Sequence, residues 1–387
     1  MTRLNPFALG RMKLSKLWEA AIDGHVVSLA WSDPLGLIAA ASADGPIALF
    51  DAATGQPRCN LPGHGFGTAQ VAWSPDSPSP PPLSREGRGG NLLASAGQDG
   101  KVRLWDPVTG TQTREMPAGA AWVERVAWCP NASGILASAA GKKLRLWNAA
   151  GELLCEYPDH PSTITDLQWN PKEPILASAA YGKLSLWPLP PVGQAFQPDP
   201  GAKSVKSVRL ESLTYGRGEI KAVREFAWQG SMLALAWSPD AKYIAAGGQD
   251  ATVHFWNLST GDDLQMAGYP RKVRELAWDA SSRWLATGGA DVVCVWDFAG
   301  KGPAGTTPIQ LESHKSSITC LTYQPKGDLL ASGGEDGQVA LWRPHKQRGV
   351  LAIAKHDAEV SQLAWSTDNR RLAVGTANGG IVLYGTN

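Results

Sequence analysis

Apolar and polar positions follow one recurring scheme along the whole chain. A segment that ends near Leu-Ala-Trp precedes a run of small residues, which leads into an alternating segment with its own aromatic end. The first aromatic anchor recurs at Trp31, Trp73, Trp128, Trp169, Trp237, Trp278, Tyr323 and Trp365. The second recurs at Phe50, Trp105, Trp147, Trp187, Trp256, Trp296, Trp342 and Tyr384. Spacings of about 40–45 residues predict a radial array of small sheets, which must close to bury the faces of its units.

One unit shows how each repeat is expected to fold. Gln70–Trp73 predicts a first strand, and Leu92–Gly97 a second strand built from small residues. Gln98–Gly100 has the composition of a tight turn, because Asp and Gly tolerate the backbone angles that turns require. Lys101–Trp105 alternates as a third strand, and a fourth is expected near Gln112–Met116.

At these positions the sequence resembles the WD-repeat family of β-propellers. The motifs that carry the resemblance are Gly63-His64, Ser95, Asp99, Trp105-Asp106 and Gln338–Trp342. It extends from about Lys13 to the end of the sequence. The resemblance implies an all-β, closed β-propeller, and eight anchor pairs imply eight four-stranded blades.

The two ends of the sequence predict how the ring closes. The last unit ends at Leu383-Tyr384 without room for a fourth strand, whereas Lys13–Glu19 precedes the first unit and belongs to no blade. The resemblance implies that this amino-terminal strand completes the last blade. Closing the ring in this way removes a free sheet edge. We therefore expect residues 1–12 to form a tail and residues 13–387 a single propeller domain.

Two stretches interrupt the repeat. Residues 77–90 are rich in Pro, Gly and Ser, a composition that does not sustain a ladder strand. Residues 188–219 make the fourth repeat about half a period too long. By the resemblance, the first insert joins strands one and two of blade 2, and the second joins strands three and four of blade 4. Both are expected on one face of the ring, which we call the insert face.

Charge and cysteine content restrict the classes of partner. The 36 basic and 35 acidic side chains give a net charge of +1, which argues against general attraction to nucleic acid or an anionic membrane. The 5 cysteines are odd in number and scattered over different repeats, as expected of buried thiols in a reducing compartment. No stretch reaches the roughly 20 apolar residues of a membrane helix. We expect a cytoplasmic protein that is monomeric alone and contacts no membrane.

Two sets of side chains have the composition of a hydrolase triad followed by a tryptophan. They are His64, Ser95, Asp99 and Trp105, and His314, Ser332, Asp336 and Trp342. A catalytic set would be needed only once, and these sets recur and decay from repeat to repeat. The resemblance implies a structural chain of hydrogen bonds that fixes a loop on its blade. We therefore expect no catalytic residue. The sequence also has no Gly-Lys-Ser/Thr phosphate loop, His-Glu-x-x-His motif, calcium loop or paired-Cys site, so we expect no metal site and no cofactor.

Binding residues are expected on the loops of the opposite face, which carries the structural histidines and which we call the histidine face. Residues six positions before each first anchor are expected to begin strand one there, and residues before each turn Asp lie in the same region. The candidates for partner binding are Trp122, Lys272, Arg271, His25, Gln98, Gln249 and Glu335. Trp122 stands out because the core needs no large aromatic residue at this position. It is expected either to anchor a partner or to pack over the channel or a neighbouring loop.

These observations favour a non-enzymatic scaffold or recognition subunit that binds other proteins or peptides. The alternative is a propeller that binds a small molecule, or acts as an enzyme, in its central channel; this would need polar groups converging there. Nucleic-acid binding ranks third, because the charge is balanced and no motif of stacking aromatic residues is found.

Overall fold

The computed structural model describes most of the chain, in five stretches: residues 12–75, 91–132, 134–190, 220–300 and 302–386. The predicted insert at 77–90, residues 191–219 of the second insert, and nearly all of the predicted tail at 1–12 lie outside these described residues. No helix in the five stretches is long and apolar enough to cross a membrane.

All regular secondary structure of the described residues is β-strand. The strands of the first half are β1 (Leu14–Ala21), β2 (Val26–Ser32), β3 (Leu37–Ser42), β4 (Ile47–Asp51), β5 (Pro57–Leu61), β6 (Thr68–Trp73), β7 (Leu93–Gly97), β8 (Lys101–Asp106), β9 (Thr111–Pro117), β10 (Arg125–Trp128), β11 (Ile135–Ala140), β12 (Lys143–Asn148), β13 (Leu153–Glu156), β14 (Asp166–Trp169), β15 (Ile175–Ala180) and β16 (Lys183–Pro188). Those of the second half are β17 (Arg224–Ala227), β18 (Met232–Trp237), β19 (Tyr243–Gly248), β20 (Val253–Asn257), β21 (Asp263–Met266), β22 (Leu276–Trp278), β23 (Trp284–Thr287), β24 (Val292–Asp297), β25 (Ile309–Glu312), β26 (Ile318–Tyr323), β27 (Leu330–Gly334), β28 (Gln338–Arg343), β29 (Gln347–Lys355), β30 (Val360–Trp365), β31 (Arg371–Thr376) and β32 (Gly380–Thr386).

These strands form eight four-stranded antiparallel sheets, the blades of a closed propeller. Blade 1 is β2-β3-β4-β5, and blades 2 to 7 repeat this consecutive order up to β26-β27-β28-β29. The first strand of each blade contacts the first strands of its neighbours, so these eight strands surround the central channel. The predicted all-β propeller of eight blades is confirmed.

The amino-terminal strand completes blade 8, as predicted. Strand β1 pairs antiparallel with β32 from Leu14↔Thr386 to Ala21↔Gly380, which gives the sheet order β1-β32-β31-β30. Trp18 of β1 is buried, and its indole Nε1 donates to the carbonyl of Ala52 in blade 1 at 3.2 Å. The first strand in the chain therefore stabilises both the last blade and its junction with the first.

The hydrophobic core is divided among the eight junctions between blades. At the junction of blades 1 and 2, for example, Ala39, Ala41 and Leu49 pack against Val71 and Trp105. Small residues on the second strand of each blade let adjacent sheets approach closely, while aromatic and branched residues fill the remaining space. The run of small residues that marks each repeat is thus a packing requirement.

The first aromatic anchors link neighbouring blades around the channel. In six blades the indole Nε1 donates to a main-chain carbonyl of the preceding blade at 2.9–3.2 Å. The donors are Trp73, Trp128, Trp169, Trp237, Trp278 and Trp365. Two blades differ: Trp31 donates to Asp33 of its own blade, and the buried hydroxyl of Tyr323 has no hydrogen-bond partner within the five described stretches. Each such bond contributes roughly 1 kcal/mol, so the repeated tryptophan secures the ring as well as its own blade.

The expected beginning of strand one is wrong for three candidate residues. Strand β2 begins after His25, β10 begins three residues after Trp122, and β22 begins four residues after Lys272. In blade 6 the partner strand β23 ends at Thr287, and one further bond, from the N–H of Gly288 to the carbonyl of Glu275, continues the pairing ahead of Leu276. The loops of the histidine face are consequently longer than the repeat predicts.

Candidate docking face

The histidine face is built from two loops of each blade. One joins strand two to strand three, and the other joins strand four to strand one of the next blade. Because neighbouring strands run antiparallel, both loops emerge at the same end of the sheet. The loops that join strands one and two, and strands three and four, form the insert face.

In blade 2 a chain of hydrogen bonds fixes one loop of this face. The indole Nε1 of Trp105 donates to Ser95 Oγ at 2.9 Å, and Ser95 Oγ lies 2.8 Å from His64 Nε2. His64 Nδ1 lies 2.8 Å from Asp99, which Arg103 also contacts at 2.8 Å. Serine can accept from the indole while donating to the imidazole, whose other nitrogen then donates to the carboxylate, so every group is satisfied. Burial lowers the pKa of His64, which favours the neutral form of this ring.

Blade 7 has the same arrangement. Trp342 Nε1 donates to Ser332 Oγ at 2.8 Å, His314 Nε2 lies 2.8 Å from the same oxygen, and His314 Nδ1 lies 3.2 Å from Asp336. Neither serine exposes any surface, and both hydroxyls are already bonded. A nucleophile needs access to its substrate, so these sets have the surroundings of structural groups and not of a catalytic triad.

Blade 4 retains only part of the chain. Trp187 and His160 both bond Ser178 Oγ, at 2.8 and 2.7 Å, but no carboxylate reaches the other side of the imidazole. His160 Nδ1 is buried, and it has no hydrogen-bond partner among the residues that the structure describes. Burial, without a bonded carboxylate to oppose it, lowers the pKa of His160 to about 4.

Chemical sites are sparse elsewhere in the described residues. No group of His, Cys, Asp and Glu side chains within these ranges could hold a metal ion, and all five cysteines are free thiols. His254, the remaining buried histidine, packs between Trp228 and Trp256 with ring centroids at 4.2 and 4.5 Å, and its Nε2 lies 2.9 Å from Asp263.

Trp122 and Gln98 are placed together on the histidine face. Trp122 is 60% exposed and makes no ring contact with another aromatic residue in the described part of the chain. The next residue, Val123, donates its N–H to the carbonyl of Gly97, so the Trp122 loop lies directly beside the exposed Gln98. Of the arrangements considered for Trp122, the exposed one matches this geometry.

Three other candidates lie together on blades 6 and 7. Arg271 donates to Ser317 Oγ at 2.9 Å, and Glu335 accepts from the N–H of Ser317 at 3.3 Å. Lys272 is exposed beside Arg271. His25 and Gln249 stand apart on blades 1 and 5, and Gln249 is exposed whereas His25 is partly buried. The seven candidates thus share a face but do not form one patch.

Sequence reasoning missed two exposed aromatic residues beside Trp122. Phe66 is 78% exposed in the loop that enters blade 2, and Tyr181 is 61% exposed in the turn between strands two and three of blade 4. Phe66, Trp122 and Tyr181 are the exposed aromatic residues of the described chain, and they occupy three consecutive blades on the histidine face. We call them the aromatic arc. The sequence did contain a signal for both residues, since neither turn requires an aromatic side chain. Phe66 lies between Gly65 and Gly67, and Tyr181 precedes Gly182.

The channel contains a cavity of about 400 Å³ on the side of blades 2 to 4. Its polar lining includes Gln70, Asp166 and Gln168, and the indoles of Trp73, Trp128 and Trp169 complete its wall. Asp166 is already occupied: it pairs with Arg125 at 3.1 Å and accepts the N–H groups of Leu167 and Leu235. Burial raises the pKa of this carboxyl.

The sequence matches two family models of β-propeller repeats. Residues 55–106 and 151–188 match the family model "WD domain, G-beta repeat", and residues 233–387 match the model "WDR19 first beta-propeller". The fold is similar to that of a crystal structure of the computationally designed protein Ika8, with a TM-score of 0.72 and 21% identity over 97% of this chain and 99% of the designed one.

Curated relatives share this sequence pattern over part of their length. The nuclear distribution protein PAC1 of Arthroderma benhamiae is 25% identical over 83% of this chain and 60% of its own length. PAC1-2 of Uncinocarpus reesii is 30% identical over 44% of this chain and 37% of its own. The B-type cell cycle switch protein ccs52A of Medicago truncatula is 24% identical over 64% and 53%. The chain therefore spans 37% to 60% of the length of these relatives.

Proposed function

The chain is a WD-repeat β-propeller, and from this premise we propose that it is a non-enzymatic scaffold or recognition subunit that docks other proteins on its histidine face. The observation that carries the proposal is the aromatic arc. Aromatic side chains are mostly withdrawn into cores, because each buries a large apolar area there. The three on adjacent blades of this fold are more than half exposed, and aromatic residues of this kind dominate the binding energy of protein interfaces.

Rigid placement supports the same proposal. The Phe66 loop carries His64, whose hydrogen-bond chain fixes it on blade 2, and Glu124, just beyond Trp122, accepts the N–H of Gly141 at 3.1 Å. Side chains held on fixed loops lose little conformational freedom when a partner binds. Trp122, proposed from the sequence as a partner-binding residue, remains the central one, and Gln98 lies beside it.

The test is affinity capture with three baits, read by mass spectrometry. The first is the intact protein, and the second carries Phe66→Ala, Trp122→Ala and Tyr181→Ala. The third, a matched control, carries Val108→Ala, Leu153→Ala and Leu264→Ala, which removes exposed apolar side chains away from the histidine face. Partners retained by the first and third baits but lost by the second are expected. Equal capture by all three would contradict docking on the arc.

A second candidate function is supported by the channel cavity. Its volume of about 400 Å³ lies within the range of small-molecule sites. No hydrogen bond engages the side-chain amide of Gln168 among the described residues, whereas the carboxylate of Asp166 is fully engaged. A metabolite screen read by melting temperature tests this alternative: a ligand-induced rise that is abolished by Gln168→Ala would favour the channel over the face.

A further inference from the structure

Unpaired carboxylates flank the aromatic arc on both sides. Asp23 and Asp44 lie on blade 1, before Phe66, and Asp250 lies on blade 5, beyond Tyr181. All three are exposed, and none forms an ion pair within the described part of the chain. Asp250 accepts only the hydroxyl of Thr252, at 2.8 Å. The arc is therefore bordered by negative charge that the fold itself does not use.

The decay of the repeat explains why two of these carboxylates are free. Asp44 and Asp250 occupy the turn position that Asp99 occupies in blade 2. Where blade 2 has His64, nine residues before the anchor, blade 1 has Ile22 and blade 5 has Trp228. With no imidazole to bind, each carboxylate remains at the surface. The same position that fixes a loop in blade 2 presents a charge in blades 1 and 5.

Few cations balance the negative charges on blades 1 to 4. Arg103 is bound to Asp99, and Lys143 is shared by Glu156 and Asp159, at 3.0 and 2.7 Å. In the histidine-face loops of blades 1 to 4, Lys142 is the exposed basic residue that has no ion pair among the described residues. In the loop that follows blade 5 the exposed Lys272 also lacks an ion pair within these residues, and this loop lies beside the Asp250 turn, because the N–H of Val273 donates to the carbonyl of Gly248. Glu124 adds a further carboxylate beside Trp122, and burial raises its pKa. The surface around Phe66 and Trp122 is therefore acidic, although the whole protein carries a charge of +1.

We propose that the aromatic arc binds a basic segment of a partner protein, one that carries Lys or Arg side chains next to apolar ones. The proposal rests on the proposed function and specifies the chemistry of the partner. Cations are attracted both to carboxylates and to the faces of aromatic rings, so Trp122, Phe66 and Tyr181 favour the same ligand as Asp23, Asp44 and Asp250. Apolar side chains of the segment would cover the ring edges. An acidic segment would meet like charge at both ends of the arc.

The test begins with selection from a library of displayed random peptides on the immobilised protein. Peptides enriched in Lys or Arg together with apolar residues are expected. The most enriched one is then labelled, and its dissociation constant is measured by fluorescence anisotropy. Raising the salt concentration several-fold above the physiological level should weaken binding about fivefold or more, since salt screens exposed charges.

Two double variants with the same change in net charge separate a local effect from a global one. Asp44→Asn with Asp250→Asn removes two carboxylates beside the arc, and we expect binding to weaken about fivefold. Glu173→Gln with Asp262→Asn removes two exposed carboxylates from the insert face, and we expect no change. Trp122→Ala should weaken binding about tenfold or more.

The outcomes distinguish failure of this inference from failure of the proposed function. Enriched peptides that depend on Trp122 but are neutral or acidic would overturn the basic partner and leave docking on the histidine face intact. Equal weakening by the two double variants would also overturn it, because the effect would follow total charge and not the arc. A selection that yields no Trp122-dependent peptide would overturn both proposals.

Discussion

Blades 2 and 4 use the same three buried side chains to different ends. Each has a tryptophan and a histidine bonded to one serine: Trp105, His64 and Ser95 in blade 2, and their equivalents in blade 4. In blade 2 the turn after strand two supplies Asp99 to complete the chain. In blade 4 that turn is one residue shorter, and it presents Tyr181 to solvent instead.

The turn between strands two and three therefore has two roles in this propeller: it stabilises its blade, or it presents a side chain at the surface. Where the Asp of the turn binds a histidine, the turn stabilises its own blade. Its carboxylate is then already bonded within the fold. A turn without this Asp leaves a buried imidazole nitrogen unpaired, which costs stability, but its exposed residue is free to vary. Loss of the structural motif in blades 1, 4 and 5 coincides with the surface groups of the proposed docking site, namely Asp44, Tyr181 and Asp250. Decay of the repeat therefore indicates where a partner could bind.

Opening the ring is expected to have the largest effect, because every blade depends on its neighbours. Deleting residues 1–20 removes most of β1, exposes the edge of β32 and removes the buried Trp18. We expect the free energy of unfolding to fall by about 5 kcal/mol, which is within the whole stability of many domains. Urea denaturation measures the change, and a synthetic peptide of residues 12–21 should restore part of it. An unchanged transition would contradict closure by this strand.

Replacing the histidine should distinguish blade 2 from blade 4. His64→Phe removes the bonds to both Ser95 and Asp99 and leaves a largely buried carboxylate with fewer partners, so we expect a loss of about 2 to 3 kcal/mol. His160→Phe removes one bond and also an unpaired nitrogen, so we expect a loss of about 1 kcal/mol or less. Equal losses in urea denaturation would show that Asp99 contributes nothing to blade 2.

Acid should act more strongly on blade 4 through the same histidine. The folded-state pKa of His160 is lowered to about 4 from an ordinary value of 6.5. Below pH 6.5 the unfolded chain binds a proton that the folded ring does not, so stability falls as the pH drops towards 4 and then levels off. Each unit within this window costs about 1.4 kcal/mol. His160→Phe should remove that part of the pH dependence, and an NMR titration of the imidazole measures its pKa directly.

The fold was predictable from the sequence because its signals repeat. Each blade needs small residues in strand two and an aromatic anchor at the end of strand one, and eight copies of the pattern make the count and the closure by β1 predictable. What one repeat leaves ambiguous, the others resolve. Only the structure showed that the first anchors bond to the preceding blade. The sequence of one repeat does not reveal which carbonyl of another blade its indole N–H will reach.

The proposed docking face was only partly predictable, because its residues do not repeat. Trp122 was found since a large aromatic residue stood at a position that needs none. Phe66 and Tyr181 were missed because an aromatic residue in a short turn can as easily point inward. Asp44 was also missed, because its freedom follows from the absence of a histidine in the adjacent loop, which is separated from it in sequence. Exposure and pairing depend on three-dimensional neighbours, which one sequence does not provide.

The smallest expected effect on stability comes from the aromatic arc itself. Phe66, Trp122 and Tyr181 are more than half exposed, so truncating each to alanine removes little buried area and leaves no cavity. We expect each substitution to change the free energy of unfolding by about 0.5 kcal/mol or less. Denaturation of the three single variants measures this, with Trp105→Ala as a buried control expected to lose about 3 to 5 kcal/mol. A loss of about 2 kcal/mol at Trp122 would place its ring in the fold and not at an interface. A variant of the aromatic arc that stays as stable as the intact protein but no longer captures its partner would show that these side chains serve binding and not the stability of the blades.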